Sequence, residues 1–309
     1  MLYFSGRYSN IVESFEGGVS GTFSFKEGKE FVKFNFIKRD ISDKISFLDR
    51  GKYFDLISPF DYGGIEYSNP LVLESFFKAF SVWCEENQII SLFIRFAPMY
   101  NFDFDIIEKF IEIKKINELI YIDLSHDFWK DYSRGRKSNI NRIKKMDYKV
   151  QLVDIEDFYP LYIESMKRNK AHAYYFFDKE VLYSLVKENI ARLYGIYIED
   201  KLVSTIMIFD DIDKSYYFLG GAITNKLVLD ANAMLFHEVA LILKEEGKTM
   251  FFLGGGRDGV YNFKQRFSKK TVPYYIGYKV YNTKIYNELI NLTQRFGNQF
   301  FPQYREKII

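Results

Sequence analysis

A run of three glycines followed by a lysine is the feature of this sequence best suited to chemistry. The segment FFLGGGRDGVYNFKQRF, residues 251–267, places Gly254, Gly255 and Gly256 after an apolar run and Lys264 further along. Glycine loses the most conformational entropy on folding, so such a run is expected where φ is positive or where a ligand approaches the backbone. A lysine at this strand-to-helix junction can stabilise an oxyanion or hold a phosphate. The alternative is a solvated lysine anchored by its two neighbouring phenylalanines.

The same glycines have a second predicted role. Their backbone N–H groups can line a ligand channel, since consecutive N–H groups attract anionic or carbonyl oxygens. The alternative is an ordinary exit from a strand. Asp258 is predicted to cap the short helix FKQRF that follows.

A basic segment lies near the middle of the chain. Its cations are Arg134, Arg136, Lys137, Arg142, Lys144 and Lys145. On one helix they can meet the phosphates of tRNA, of a nucleotide-sugar or of lipid headgroups. The alternative is a solvated helix face.

The segment SPFDYGG, residues 58–64, is a further candidate site. Its proline and glycines set the shape of a loop, from which Asp61 and Tyr62 can reach a sugar or a peptide. The alternative is a plain connection between a strand and a helix. His237 lies inside an apolar helical pattern and is predicted to be a core residue.

The composition excludes several kinds of site. The chain has 309 residues, a net charge of +2, one cysteine and three histidines. Cys84 has no partner for an internal disulfide, and these few residues do not build a metal cluster. No apolar run approaches the roughly 20 residues of a membrane span, and the first residues lack the pattern of a secretory signal. We expect a cytoplasmic protein without a metal or cofactor, whose contact with a membrane is at most peripheral.

Short β-rich runs alternate with amphipathic helical patterns, which is typical of the α/β class. Strands are predicted at 31–39, 52–59, 89–98, 119–125, 191–199, 201–211, 214–223, 251–254 and 273–282, and helices at 69–87, 127–146, 154–169 and 178–189. Asp230 is predicted to cap a buried helix that Gly247 ends. Because the order of elements restarts after about residue 150, we predict two domains, 1–150 and 151–309.

The order of elements in the second half is that of the GNAT acyltransferase fold. Four stretches resemble the FemAB group of this superfamily: ISPFDYGGIEY (57–67), IRFAP (94–98), IDLS with the basic helix SRGRKSNINRIKK, and FLGGGRDGVYNFKQRF. FemAB proteins carry two GNAT-like domains and include the aminoacyltransferases that form peptidoglycan bridges. The glycine–lysine segment also resembles GNAT-like proteins of surface-polysaccharide synthesis. The resemblance implies two tandem GNAT-like domains with mixed, largely antiparallel sheets flanked by helices.

The resemblance also implies roles for individual residues. Lys264 is the implied catalytic residue. The implied substrate-binding residues are Ser58, Asp61, Tyr62, Gly63, Arg95, His172, Tyr175, Gly254, Gly255, Gly256, Arg257 and Phe263, and the implied phosphate or nucleic-acid ligands are Arg134, Arg136, Lys137 and Arg142. His172 is also a candidate general base, because the ordinary imidazole pKa suits that role; the alternative is an exposed loop histidine.

The implied activity is transfer of an acyl or aminoacyl group to an amine of a peptidoglycan or surface-polysaccharide precursor. The alternatives are an acyl-CoA N-acyltransferase acting on an amino sugar and a non-catalytic binding module. GNAT enzymes that use CoA usually carry an Arg/Gln-x-x-Gly-x-Gly/Ala turn before the buried helix, whereas this chain has AITNKLVLDANAML. Asp230 at the helix entrance is expected to compete with an anion. We therefore predict no tight CoA binding through that turn, and the co-substrate is acyl-CoA or aminoacyl-tRNA.

Overall fold

The computed structural model describes residues 1–43, 45, 48–224, 226–295 and 300–305. The chain divides into two compact units: unit 1 is Met1–Asn117 with Pro273–Ile309, and unit 2 is Glu118–Val272. This division differs from the predicted boundary at residue 150. The strand before the basic helix and the helix itself place Ile120, Ile140 and Ile143 in the core of unit 2. The division into domains 1–150 and 151–309 stays a prediction.

The described elements follow one another in the alternation that the sequence predicts. The strands are β1 (Val19–Glu27), β2 (Glu30–Asp40), β3 (Phe54–Ile57), β4 (Ile65–Tyr67), β5 (Ile89–Arg95), β6 (Glu112–Asp123), β7 (Tyr148–Leu152), β8 (Ala191–Ile198), β9 (Lys201–Asp210), β10 (Lys214–Ala222), β11 (Met250–Gly254) and β12 (Thr271–Val280). The helices are α1 (Gly6–Glu16), α2 (Leu73–Glu86), α3 (Phe104–Ile107), α4 (Arg134–Ile143), α5 (Ile155–Arg168), α6 (Lys179–Lys187), α7 (Lys226–Glu245), α8 (Asp258–Gln265) and α9 (Thr283–Thr293). Among the described helices, none combines the length and the apolar character needed to cross a bilayer.

Unit 1 contains a mixed sheet with the strand order β1-β2-β3-β5-β12, and β4 pairs with β2. Only β3 and β5 are parallel neighbours in this sheet; the other pairs are antiparallel. The helix α2 covers the sheet with an aromatic face that includes Phe76, Phe77 and Phe80. The sequence predicted β2 of the hairpin that β1 and β2 form, but not β1. The strand β1 alternates exposed and half-buried residues and has no fully buried position.

A buried ionic network stabilises unit 1. Asp55, which is fully buried, accepts hydrogen bonds from Arg39 at 2.6 Å and from Arg305 at 2.5 Å. Burial alone raises the pKa of the Asp55 carboxyl, but the two arginines outweigh burial, so the pKa is held below its ordinary value. The segment that carries Arg305 is thereby fixed to the sheet.

Unit 2 contains the strand order β6-β11-β10-β9-β8-β7, in which only β10 and β11 are parallel. Their pairing covers Lys214–Tyr216 against Met250–Phe252, although β10 continues to Ala222. A bulge at Phe218 marks the point where β10 leaves its neighbour. Beyond Tyr216, the described residues of β10 pair with β9 and not with β11, so one edge of β10 has no described strand partner there.

Three predicted helix boundaries are wrong. The helix expected over 127–146 is a 3-10 turn, Phe128–Asp131, followed by α4, because Ser133 accepts a hydrogen bond from the Arg136 N–H and starts a new helix. The helix α7 already includes Lys226, so Asp230 lies inside it and is not its cap. The residue before α8 is Arg257, and Asp258 occupies the first helical position without capping.

Candidate functional site

A cavity of about 700 Å³ lies in unit 2 beside the end of β10 that extends past its pairing with β11. One wall is the free end of β10, from Gly220 to Ala222. The C-terminal end of α5, the first turns of α7 and the helix α8 complete the enclosure. A concave site between diverging strands, with few polar groups, is a typical place for a small ligand.

Lys264 lies on α8 at the inner end of this cavity, and its side chain is only 6% exposed. Its ammonium donates a hydrogen bond of 2.5 Å to the carbonyl of Gly255. It also lies 5.2 Å from the centre of the Tyr217 ring, within the range of a cation–π contact. Burial raises the pKa of Tyr217 to about 12, so its phenol stays protonated at neutral pH. The interpretation of Lys264 as a solvated surface lysine is therefore wrong.

The glycine run turns the chain so that one carbonyl meets this lysine. Gly254 and Gly256 have φ values of 74° and 141°, which side chains other than glycine rarely adopt. A Cβ on Gly256 would lie 2.8 Å from Val260. Gly254, Gly255, Gly256 and Arg257 are not among the described residues that line this cavity, and their predicted place in a ligand channel stays a prediction. Within the glycine run, the Gly255 carbonyl accepts a hydrogen bond from the Lys264 ammonium.

A second cation, Arg168 on α5, lies at the outer end of the cavity. Its guanidinium donates to the carbonyl of Ala222 at 2.8 Å and to the Ser165 hydroxyl at 3.1 Å. The same hydroxyl accepts a hydrogen bond from the Ala222 N–H at 2.9 Å. It therefore supplies a partner for the backbone N–H of the last residue of β10. Sequence reasoning missed these residues, because nothing in the pattern of α5 shows which strand it covers.

Gly221 explains why α5 approaches β10 so closely. A Cβ at this position would lie 2.3 Å from the backbone of Leu161, a distance that no side chain tolerates. Asn232 of α7 and Phe263 of α8 form other parts of the lining. Of the substrate-binding residues predicted from the resemblance, Phe263 is thus in the cavity with Lys264.

Arg136 is part of the core of unit 2 and is only 1% exposed. Its guanidinium donates to the carbonyl of Phe263 at 2.7 Å and lies 4.3 Å and 4.1 Å from the rings of Phe263 and Phe267. Burial, with a smaller contribution from Arg266, lowers the pKa of Arg136 to about 9. Its predicted contact with a phosphate is untested, and in the structure its guanidinium supports α8 instead.

The other predicted cations of α4 lie closer to solvent. Arg134 and Arg142 are exposed, and Lys137 donates to the carbonyl of Lys130 at 3.2 Å. Arg142 pairs with the buried carboxylate of Asp230 at 2.8 Å. The predicted competition between Asp230 and an anion at the start of α7 is therefore unsupported, because this carboxylate faces α4.

The predicted acceptor loop of unit 1 is held firmly by its own contacts. The Ser58 hydroxyl is fully buried and accepts from the Arg95 N–H at 3.0 Å, while the Gly63 N–H donates to the Arg95 carbonyl at 2.7 Å. Asp61, with φ of 64°, accepts from a tyrosine hydroxyl at 2.8 Å. Tyr62 is only 9% exposed. The structure gives Ser58 and Gly63 a role in joining the loop to β5; their predicted substrate contact is untested.

The remaining predicted side chains lie outside the described cavity lining. The Arg95 guanidinium binds Glu16 at 2.7 Å. His172 accepts at Nδ1 from the N–H of the second residue after it, and Tyr175 is 45% exposed. His237 is 3% exposed, and burial lowers its pKa to about 4, as suits the predicted core residue. Within the described part of the chain, no three side chains of the metal-binding types are grouped to hold an ion.

Comparison with known proteins shows what this arrangement is similar to. No protein-family model and no curated protein match the sequence. Among solved structures, FemX matches with a TM-score of 0.69 at 11% identity, over 91% of this chain and 92% of FemX. The C-terminal domain of a putative lysylphosphatidylglycerol synthetase from Agrobacterium fabrum matches with a TM-score of 0.57 at 11% identity, over 91% and 89% of the two chains. L-PGS from Bacillus licheniformis matches with a TM-score of 0.55 at 15% identity, over 88% of both chains. These similarities in structure show that the chain has the FemAB-like GNAT fold that its motifs predicted.

Proposed function

We propose that the protein transfers an acyl or aminoacyl group from an activated donor to an amine of a peptidoglycan or surface-polysaccharide precursor. The observation that carries this proposal is the cavity beside the end of β10, with the buried side chain of Lys264 in its lining. A free strand edge beside a buried cation suits a reacting carbonyl, because both supply positive charge to a developing oxyanion.

The reaction that fits this site is direct transfer. The acceptor amine attacks the donor carbonyl, its nitrogen forms the new C–N bond, and the C–O or C–S bond to the carrier breaks. The amine loses one proton and the leaving group gains one. Lys264 stabilises the tetrahedral intermediate, and the protonated phenol of Tyr217 lies beside it in the cavity. The protein contributes mainly by positioning both partners.

Aminoacyl-tRNA is the first candidate donor. FemX and the lysylphosphatidylglycerol synthetase domain share the fold, and the exposed cations of α4, Arg134 and Arg142, offer contacts for phosphates. The predicted cytoplasmic location would give access to charged tRNA.

Acyl-CoA is the second candidate donor, and one observation favours it. The cavity reaches the connection between β10 and α7, where Thr224 and Leu229 line it. Because Asp230 is engaged by Arg142, its charge does not block this end. The glycine-containing turn typical of CoA-binding GNAT enzymes remains absent from the sequence.

Product analysis tests the proposal. The protein is incubated with amine-bearing precursors and with either mixed aminoacyl-tRNA or acetyl-CoA, and mass spectrometry detects the modified precursor. Leu229→Trp, which places a large ring at the cavity mouth, should lower the yield; Leu292→Trp is the control, because Leu292 is also exposed but lies on α9 of unit 1. Absence of product with both donors and all acceptors, or equal yields from the two variants, would contradict the proposal.

Calorimetry with acetyl-CoA then separates the donors. The missing turn predicts no tight binding through residues 224–232. Micromolar affinity, with a structure of the complex that places the pyrophosphate there, would contradict the prediction from the missing turn and favour acyl-CoA as the donor.

A further inference from the structure

One amide in the cavity lining has its oxygen engaged and its nitrogen available to a ligand. Asn232, on α7, is half-buried and lines the cavity. Its amide oxygen, Oδ1, accepts a hydrogen bond of 3.0 Å from the hydroxyl of Ser204 on β9. The described residues provide no hydrogen-bond acceptor for its amide nitrogen, Nδ2. Because an asparagine amide carries two N–H donors, this side chain can still donate to a ligand in the cavity.

Ser204 is placed to fix the orientation of this amide. It is fully buried on β9, where its backbone pairs with that of Ala222 on β10. Its hydroxyl also lies 3.2 Å from the carbonyl oxygen of Gly221. The hydroxyl of Ser204 thus links the amide of Asn232 to the last residues of β10. With Oδ1 engaged by Ser204, Nδ2 is the part of the amide that remains for a ligand.

The surroundings of this donor favour a ligand that carries a carbonyl group. The proposed function places the reacting carbonyl beside the end of β10, and the lining there includes the apolar side chains of Ile223, Leu229 and Phe236. A carbonyl that leaves water for such a site loses binding energy unless a donor in the site pairs with it. Asn232 supplies an N–H donor beside the end of β10.

We propose that Asn232 contacts the substrate, and that its Nδ2 donates a hydrogen bond to the carbonyl oxygen of the acyl or aminoacyl group that is transferred. Ser204 is the positioning residue for this amide. The inference rests on the proposed function and adds a residue that recognises the carbonyl of the donor. Both candidate donors meet this requirement, because a thioester and an aminoacyl ester each carry a carbonyl next to the atom that leaves.

The expected effect follows from the loss of one hydrogen-bond donor. Asn232→Ala leaves the carbonyl of the bound donor without this partner, which should weaken binding by about 5- to 150-fold. A ligand of similar shape without the carbonyl has no such bond to lose. Asn232→Ala should therefore bind that ligand within about threefold of the original affinity, or more tightly.

Two matched pairs of probes separate the carbonyl from the carrier. Acetyl-CoA is compared with S-ethyl-CoA, in which a methylene replaces the carbonyl. A short oligonucleotide ending in CCA carries either a 3′-acetyl ester or a 3′-ethyl ether, and a terminal 2′-deoxyadenosine prevents migration of the ester. Binding is measured by calorimetry on the full chain without an acceptor, so that no transfer takes place.

Three further variants assign the effect. Asn232→Asp keeps an oxygen but has no N–H group, so it should weaken binding of the acetyl probe at least as much as Asn232→Ala does. Ser204→Ala should also weaken binding of the acetyl probe and leave the ethyl probe unchanged, because the amide loses its fixed orientation. Asn287→Ala is the control, because Asn287 is an exposed asparagine of α9 outside the described lining, and both affinities should be unchanged. Circular dichroism gives the folded fraction of each variant.

The probes on the carrier that binds decide the inference. It is overturned if Asn232→Ala changes the affinities for the acetyl and ethyl probes by the same factor. It is also overturned if Asn232→Asp binds the acetyl probe as tightly as the original protein, because the amide oxygen would then face the ligand. An unchanged acetyl affinity in Ser204→Ala overturns the positioning role of Ser204. The proposed function stands in these three cases, whereas it fails, and the inference with it, if neither carrier binds with either group.

Discussion

Replacing Lys264 by methionine removes the charge of this side chain while keeping most of its volume. If the ammonium stabilises the oxyanion of the tetrahedral intermediate, its loss should lower turnover by about two to three orders of magnitude, as the loss of one oxyanion donor does. Substrate binding should change far less, because the interaction strengthens only in the transition state.

The structure also sets the expected effect of this change on folding. From the sequence, the charge is expected to contribute little to stability. Lys264 is buried, however, and donates to the Gly255 carbonyl at 2.5 Å. Removing a charged donor and leaving a carbonyl unpaired costs about 1–3 kcal/mol. For a chain of this size that loss lowers the melting temperature by roughly 1–5 °C.

The assay must therefore count folded protein. Turnover is measured by mass spectrometry well below the melting temperature, with the folded fraction determined by circular dichroism. Lys264→Arg retains a cation and should keep more activity than Lys264→Met. Lys269→Met is the control, because it removes one exposed lysine by the same substitution, and its turnover should be unchanged. Turnover of Lys264→Met within about threefold of the original would refute the catalytic role and leave this lysine a structural partner of Gly255.

Three further predictions concern stability. Gly221→Ala should destabilise the fold by at least about 1–3 kcal/mol, because its Cβ would lie 2.3 Å from the Leu161 backbone; Gly259→Ala, with no neighbour within 4 Å, should be neutral or stabilising in urea unfolding. Asp55→Asn should cost about 3–5 kcal/mol, since it removes the buried carboxylate that Arg39 and Arg305 share, and an unchanged denaturation midpoint would contradict this. Burial lowers the pKa of His237 to about 4, so the unfolded chain binds a proton that the folded chain excludes. The free energy of unfolding should therefore fall by up to about 3 kcal/mol as the pH drops from about 6.5 to 4. His237→Gln should remove this contribution, which melting curves recorded across that pH range would show.

Local patterns were sufficient for most elements of the second half of the chain. The runs at 191–199 and 201–211 predict β8 and β9, and both residues of the turn between them, Glu199 and Asp200, have the positive φ that a tight hairpin requires. The helix α7 was recognised from an apolar composition that only a buried helix tolerates. The order of these elements along the chain also predicted the fold, because it is the order of elements in the GNAT fold. The edge strand β1 was missed, since one exposed face gives a weak pattern.

By itself the sequence determined the class of fold and the glycine–lysine segment, because both were recognised from patterns of residues close together in the chain. Only the tertiary structure decided what those residues do. Arg136 belongs to a basic helix and Asp230 to a predicted helix start, yet packing buries the first beneath α8 and places the second inside α7, paired with Arg142. The outer cation of the cavity comes from α5, which reaches β10 only because Gly221 has no side chain. Burial and charge pairing depend on neighbours distant in sequence, and no local pattern encodes them.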